Sequence, residues 1–257
     1  MKKLLYLLSA IIAILTSCSS DNDTDSLNQA HIPLLLKYVI TKDGKTIYTG
    51  ENIYNGNRIV SFSDSNGNKS NYTYTGDLIT KIEDINTKGM ITTTRDYSYS
   101  SGKLESVLYK SPSSKNLKIK YTHNQDGTIS YKKYLIQVST GSEEEEGSTG
   151  KYTFKDGNLI KTESFYYNSP EGLTISEYDS KNSFNKNILG LKLLLDYSST
   201  SINNLVKQTI VTFSDNNSTS IISTYAFTYD ANGYATEMKT SKSDGASDTT
   251  QTIKYFY

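Results

Sequence analysis

From Tyr38 onward the sequence is cut at short intervals by Asn-Gly and Asp-Gly pairs: Asp43-Gly44, Asn55-Gly56, Asn66-Gly67, Asp126-Gly127, Asp156-Gly157, Asn232-Gly233 and Asp244-Gly245. A type I′ turn needs φ > 0 at both central residues. These pairs reach that conformation at least cost, so each one flanked by strand-like residues predicts a hairpin. The flanks fit: in residues 118–123 (KIKYTH), Ile119, Tyr121 and His123 alternate with Lys118, Lys120 and Thr122, giving one apolar and one wet face.

The turns recur in a frame. Residues 74–82, 99–107, 154–162 and 229–238 each run from an aromatic (Tyr74, Tyr99, Phe154, Tyr229) through a tight glycine turn into an outgoing strand. Residues 54–60 and 123–129 are looser copies, anchored by Tyr54 and His123. Anchors from Tyr54 to Phe154 lie 20 to 31 residues apart, room for two strands and two turns per unit. The expectation is an all-β antiparallel meander of about 14–16 strands, curved into a barrel or a strongly bent sheet.

Composition agrees. Tyr (22) outnumbers Phe (7) and Trp is absent, while Thr, Ser, Asn and Ile abound, as a pleated half-buried surface favours. Tyrosines stacked across neighbouring repeats hold a sheet without any ligand; exposed, they could bind sugar rings or protein. The absence of Trp favours the structural role. Pro33, Pro112 and Pro170 are expected in a lead-in segment or loops, since a ladder cannot spare an N–H. Residues 184–195 (FNKNILGLKLLL) fit neither periodicity and contain Gly190, so a short helix or plug packed over the sheet is expected there.

The N-terminus carries an address. Lys2 and Lys3 lead into an apolar run from Leu4 to Leu15, too short to span a bilayer, and Leu15-Thr16-Ser17-Cys18 closes it. This is the pattern of a secretory signal peptide over residues 1–17 ending in a lipobox, with Cys18 as the lipidation site, palmitate included. Residues 18–30 read as a lipidated flexible tether and 31–257 as a single all-β repeat domain. Without residues 1–17 the chain carries 25 basic and 27 acidic side chains, a balance that argues against nucleic acid as a partner. Cys18 is the only cysteine, so no disulfide and no thiolate ligand is expected.

The hairpin frame resembles the tyrosine-aspartate (YD, or Rhs-type) repeats of bacterial surface proteins, with Tyr229-Asp230-Ala231-Asn232-Gly233 as the best copy; most other copies lack the Asp. The acidic stretch after Cys18 is similar to the export signal of Bacteroidetes surface lipoproteins. From lipobox to C-terminus, including Tyr178-Asp179, Asn182, Phe184 and Lys186-Asn187-Ile188, the chain resembles a Bacteroidetes lipoprotein family of unknown function described as having a porin-like fold. The resemblance implies an outer-membrane, lipid-anchored, surface-exposed protein.

Little in the sequence points to catalysis. His31 stands at the end of the tether and His123 fills an aromatic slot, and neither has partners at the spacing that zinc or general-base chemistry uses. No Walker-type motif occurs. The Asp21-x-Asp23-x-Asp25 triplet opens like a calcium loop, but Ser26 and Ile32 stand where glycine and a closing acid belong. Asp96, Glu105, Glu163, Glu177, Asp179 and Glu237 lie on or beside expected strands and are the candidates for a carboxylate pair; as wet-face partners of lysines they need no chemistry. Glu143 to Glu146 are expected at a loop tip.

The sequence is thus read as a non-catalytic, lipid-anchored, monomeric surface protein that binds or scaffolds, with a glycan or an envelope protein as candidate partner, the membrane reached through its lipid, and no cofactor or metal. Two alternatives are a surface glycan-degrading enzyme and an integral outer-membrane β-barrel, the latter suggested by the terminal Ile253-Lys254-Tyr255-Phe256-Tyr257.

Overall fold

The structure, a computed structural model, describes residues 32–257 except 113–114, 196–199, 215–216, 244–248 and the side chains of 242–250. Cys18, the tether, His31 and the Asp244-Gly245 pair lie outside the described residues. Sixteen strands follow one another: β1 (Lys37–Lys42), β2 (Lys45–Asn55), β3 (Arg58–Asp64), β4 (Lys69–Thr75), β5 (Leu78–Ile85), β6 (Ile91–Ser100), β7 (Lys103–Lys110) and β8 (Asn116–His123). The second half is β9 (Ile129–Ile136), β10 (Glu143–Lys155), β11 (Asn158–Tyr166), β12 (Ser169–Asn182), β13 (Asn203–Ser214), β14 (Asn217–Tyr229), β15 (Ala235–Ser243) and β16 (Thr249–Phe256). Each strand pairs antiparallel with the next, and β1 closes on β16 with Lys37 opposite Phe256. The meander is therefore a closed barrel, not an open bent sheet.

The turns use two chemistries. Asp43-Gly44 and Asp156-Gly157 have φ > 0 at both residues, as a type I′ turn requires. Asn55-Gly56, Asn66-Gly67, Asp126-Gly127 and Asn232-Gly233, expected to match them, differ: only the glycine is left-handed, and at Asn232-Gly233 (Gly233 φ 78°) the loop is closed by Asp230 N–H to Tyr234 C=O at 2.9 Å. The Asp230 carboxylate makes this longer loop cheaper by accepting the N–H groups of Asn232 and Tyr234, both at 2.9 Å. Asp64 serves Asn66 and Asn68 in the same way.

Two placements correct the expectations. Glu143–Glu146 do not cap a loop but open β10, where Glu143 bridges Lys118 (2.9 Å) and Lys120 and so loses its self-repulsion. Pro170 lies inside β12, opposite Phe165, where the register shifts between Ser164 and Phe165. A bulge is where a strand tolerates a missing N–H.

Cross-strand register sorts the side chains. One face of the wall carries Ile59, Ile79, Ile82, Tyr97, Leu104, Val107, Ile129, Tyr131, Tyr152 and Leu159, all buried in one cluster inside the barrel. The alternate residues face out and are Lys, Glu, Asp, Ser and Thr for the most part. Lys37–Glu51 (2.9 Å), Lys110–Asp96 (2.7 Å), Lys161–Glu163 (2.8 Å) and Lys207–Glu177 (2.8 Å) are ion pairs on that outer wall.

The frame's aromatics have a specific task. At Tyr54, Tyr74, Tyr99, Phe154 and Tyr229 the hairpin register shifts, and at Tyr178 the β12–β13 register does, with one extra residue on the outgoing strand. The ladder to the next strand then starts late. The β5–β6 ladder begins at Lys81, two residues past Ile79, and the Ile79 carbonyl is taken instead by the Tyr99 hydroxyl at 2.7 Å. Tyr54 does this for Leu35 (2.9 Å), Tyr178 for Leu159 (2.8 Å), and the His123 ring nitrogen for Leu104 (2.9 Å). In each case the bond reaches back 19 or 20 residues, one hairpin of wall. A buried carbonyl without a partner costs about 1–3 kcal/mol, so Phe cannot replace Tyr here at no cost.

Two outcomes follow. Tyr99→Phe should destabilise the barrel by about 1–3 kcal/mol, several degrees in Tm, while Tyr166→Phe, at an exposed turn, should change it by under about 0.5 kcal/mol; matched thermal melts decide, and equal melts would refute the role given to the hydroxyl. Burial pushes the Tyr74 and Tyr99 phenols from 10.0 up to about 12. Because the folded values lie above the unfolded one, their contribution to stability is complete below pH 10 and is lost as pH rises through about 12. Tyrosinate absorbance from these rings should therefore appear together with loss of the β circular dichroism; ionisation near pH 10 in an intact fold would contradict it.

Candidate functional site

A sixteen-strand circumference is wide enough to leave an aqueous channel. Here the long β12–β13 connection turns into the barrel as a plug. Ile188, Leu191, Leu194 and Leu195 join the buried cluster formed by β3 to β11, and residues Leu191–Leu194 make a single 3-10 turn. Gly190 (φ 75°) permits the approach, since a Cβ there would sit 2.9 Å from the Asp77 carbonyl oxygen. The Tyr74 hydroxyl donates to Leu189 C=O at 3.0 Å, and Asn187 donates to Pro33 C=O and the Tyr234 hydroxyl, both at 2.8 Å. The expected helix or plug at 184–195 is thus a plug, inside the barrel instead of over it.

Because the plug packs against one half of the wall, the other half keeps space. Between the plug and the inner faces of β12 to β16 and β1 lies a chamber of about 430 Å³. Its walls are Tyr38, Tyr225, Phe227, Met238, Ile253 and Tyr255, and its floor includes Leu35 and Phe184, with Phe184 stacked on Tyr255 at 5.4 Å. Gly50 lets the Tyr38 ring lie flat over β2; a Cβ there would overlap the ring. Ser176 and Gln208, opposite one another on β12 and β13, bring the polar edge. Burial pushes the phenols of Tyr38 and Tyr255 above their ordinary range, so both are neutral at physiological pH. Two residues beyond Gln208 on the same inner face, Ile210 stays 37 % exposed, so the inner wall beyond the chamber meets solvent.

A second space of about 230 Å³ adjoins it across Leu35, Tyr38, Phe184 and Asn185. Arg95 faces it, its terminal nitrogen on both oxygens of Asp84 (2.8 and 3.0 Å), and Asp84 also accepts from Ser70 at 2.7 Å. Neither this pair nor the chamber was visible in the sequence, where Arg95 and Asp84 stand on separate strands without a motif.

The residues singled out earlier lie elsewhere. Asp96, Glu163, Glu177 and Glu237 pair with lysines on the outer wall, Glu105 is exposed, and His123 serves the wall as described. Asp179 accepts the Asn204 N–H at 3.1 Å and a close bond from the Tyr229 hydroxyl. None of these acids lines the chamber. Among the described residues no three His, Cys, Asp or Glu side chains group as metal ligands.

No family model matches the chain, and no curated protein does. Solved structures do. A porin-like protein from Bacteroides vulgatus superposes with a TM-score of 0.57 at 12 % identity, covering 88 % of this chain and 99 % of that one. A porin-like protein from Bacteroides uniformis gives 0.50 at 12 % identity, covering 86 % and 97 %. At that identity the likeness is one of fold: this chain shares the barrel architecture of those porin-like proteins.

Proposed function

We propose that this chain is a non-catalytic binding protein of the outer envelope, held by lipid on Cys18 and exposed at the cell surface, whose barrel stands in water and takes its ligand in the lumen. The polarity of the wall carries this reading. A transmembrane barrel turns apolar residues to lipid and polar ones inward, whereas here the apolar face is inside and the ion-paired face outside. A lysine on a lipid-facing wall costs about 2–4 kcal/mol at the bilayer midplane, and this wall carries many. In water the same ion pairs are worth about 0–1 kcal/mol each and do no harm.

An integral barrel is the second reading, favoured by the porin-like neighbours and by Phe256, exposed near the end of β16. The wall chemistry opposes it. The lipobox and the inward apolar face together support a barrel tied to the membrane by its N-terminus. The glycan-degrading alternative would need two acids across a cleft about 5–9.5 Å apart; of the acids proposed for it, Asp96, Glu163, Glu177 and Glu237 are paired with lysines on the outer wall and Asp179 is held by Asn204 and Tyr229.

A chain from Gln29 to Tyr257, made without lipid or detergent, should elute as a β-rich monomer in size-exclusion chromatography; β structure formed only in detergent would favour the integral barrel. In cells, Cys18→Ser should move the protein from the membrane to the soluble fraction, because stable anchoring rests on the acyl chains. A Cys18→Ser protein that still resists carbonate extraction would defeat the lipoprotein reading.

A further inference from the structure

We infer that the lumen chamber is a site for an uncharged, mainly apolar molecule that carries a hydroxyl or carbonyl group. The inference rests on the reading of the barrel as a binding protein and adds the chemical class of what it binds. At about 430 Å³ the space lies in the range of small-molecule pockets, and its walls are mainly aromatic and aliphatic, while Ser183, Ser201, Asn203 and Asn204, which also line it, are held in hydrogen bonds to neighbouring residues. No charged side chain is among the residues lining it. A carboxylate, sulfonate or ammonium placed there would lose its water and meet no counter-charge, a cost that only pairing offsets. The nearest guanidinium in the adjoining space, Arg95, is already neutralised by Asp84. Neutral polar groups are present, however. Ser176 and Gln208 stand opposite one another with side chains that no other described protein group engages, and each can both donate and accept. The Tyr178 hydroxyl, by contrast, is spent on Leu159. An apolar body with one hydroxyl or carbonyl satisfies both parts of the chamber.

The absence of Trp supplies the assay. In the mature Cys18→Ser chain, Phe227→Trp places a single indole on the chamber wall, and energy transfer from it reports a naphthyl probe bound inside. N-phenyl-1-naphthylamine, which is neutral, should bind saturably and at least about tenfold more tightly than 1-anilinonaphthalene-8-sulfonate, which has the same ring body and a fixed negative charge. Ser176→Phe, which takes up part of the chamber and removes its hydroxyl, should weaken probe binding about tenfold or more while circular dichroism stays that of the parent. Displacement of the neutral probe by 1-decanol should weaken about fivefold or more in Gln208→Leu, which keeps the volume and removes the polar group. Equal or tighter binding of the sulfonate, or decanol displacement unchanged in Gln208→Leu, would overturn the ligand class and leave lumen binding standing. Saturable transfer from neither probe, or probe affinity unchanged in Ser176→Phe, would defeat lumen binding itself.

Discussion

The bond from a tyrosine hydroxyl to a carbonyl one hairpin back is the constraint around which the barrel is organised. A closed wall of sixteen strands needs the extra coil that bulges provide, and the bulges here recur beside the same turn at one end of the barrel. Each bulge delays the next ladder and leaves a backbone group turned toward a dry interior. Tyrosine is the side chain that can fill that interior with its ring and still bring a donor to the carbonyl, which Phe cannot do. His123 substitutes with a ring nitrogen, and Phe154 occupies one slot without the bond. Tyr54, Tyr99 and Tyr178 are thus tyrosine because of the wall's register, whereas the hydroxyls of Tyr74 and Tyr229 in the same frame go to Leu189 of the plug and to Asp179.

The same ring of aromatics decides where the empty space lies. Plug residues Ile188, Leu191, Leu194 and Leu195 are anchored through Leu189 to Tyr74, and so are committed to the β3–β11 half of the wall. Sealing that half leaves the β12–β16 half lined by Phe227, Met238 and Tyr255 but unfilled. A barrel that would otherwise be a channel becomes a cup with a floor. Its charged exterior and apolar interior reverse the arrangement by which strands cross lipid, although the topology is shared with proteins named as porin-like.

Much of the fold was legible because its signals are local. Asp43-Gly44 and Asp156-Gly157 name their turns, residues 118–123 show their two faces, and residues 184–195 announce a plug by fitting neither period. The misreadings come from non-local causes. Asn232-Gly233 looked like a two-residue turn because the Asp230 side chain, two positions away, decides the loop length. The four acids from Glu143 look solvated in sequence, and only the register of β10 beside β9 and β8 brings lysines to Glu143 and Glu145. The chamber was illegible for the same reason: Tyr38, Ser176, Phe227 and Tyr255 belong to strands spread over the whole chain and meet only when β1 closes on β16.

That closure joins Lys37 to Phe256, the first strand to the last. Until Thr249–Phe256 is in place, β1 and β15 are bare edges, each a template for pairing with another chain. The hairpins can form one by one as the polypeptide emerges, since nearly all pairings link sequence neighbours, but the seam must wait for the final strand. A protein built this way is vulnerable while it folds in proportion to how long its C-terminus lags, and nicking or truncation of β16 alone would convert a self-contained cylinder into a ribbon with two pairing edges.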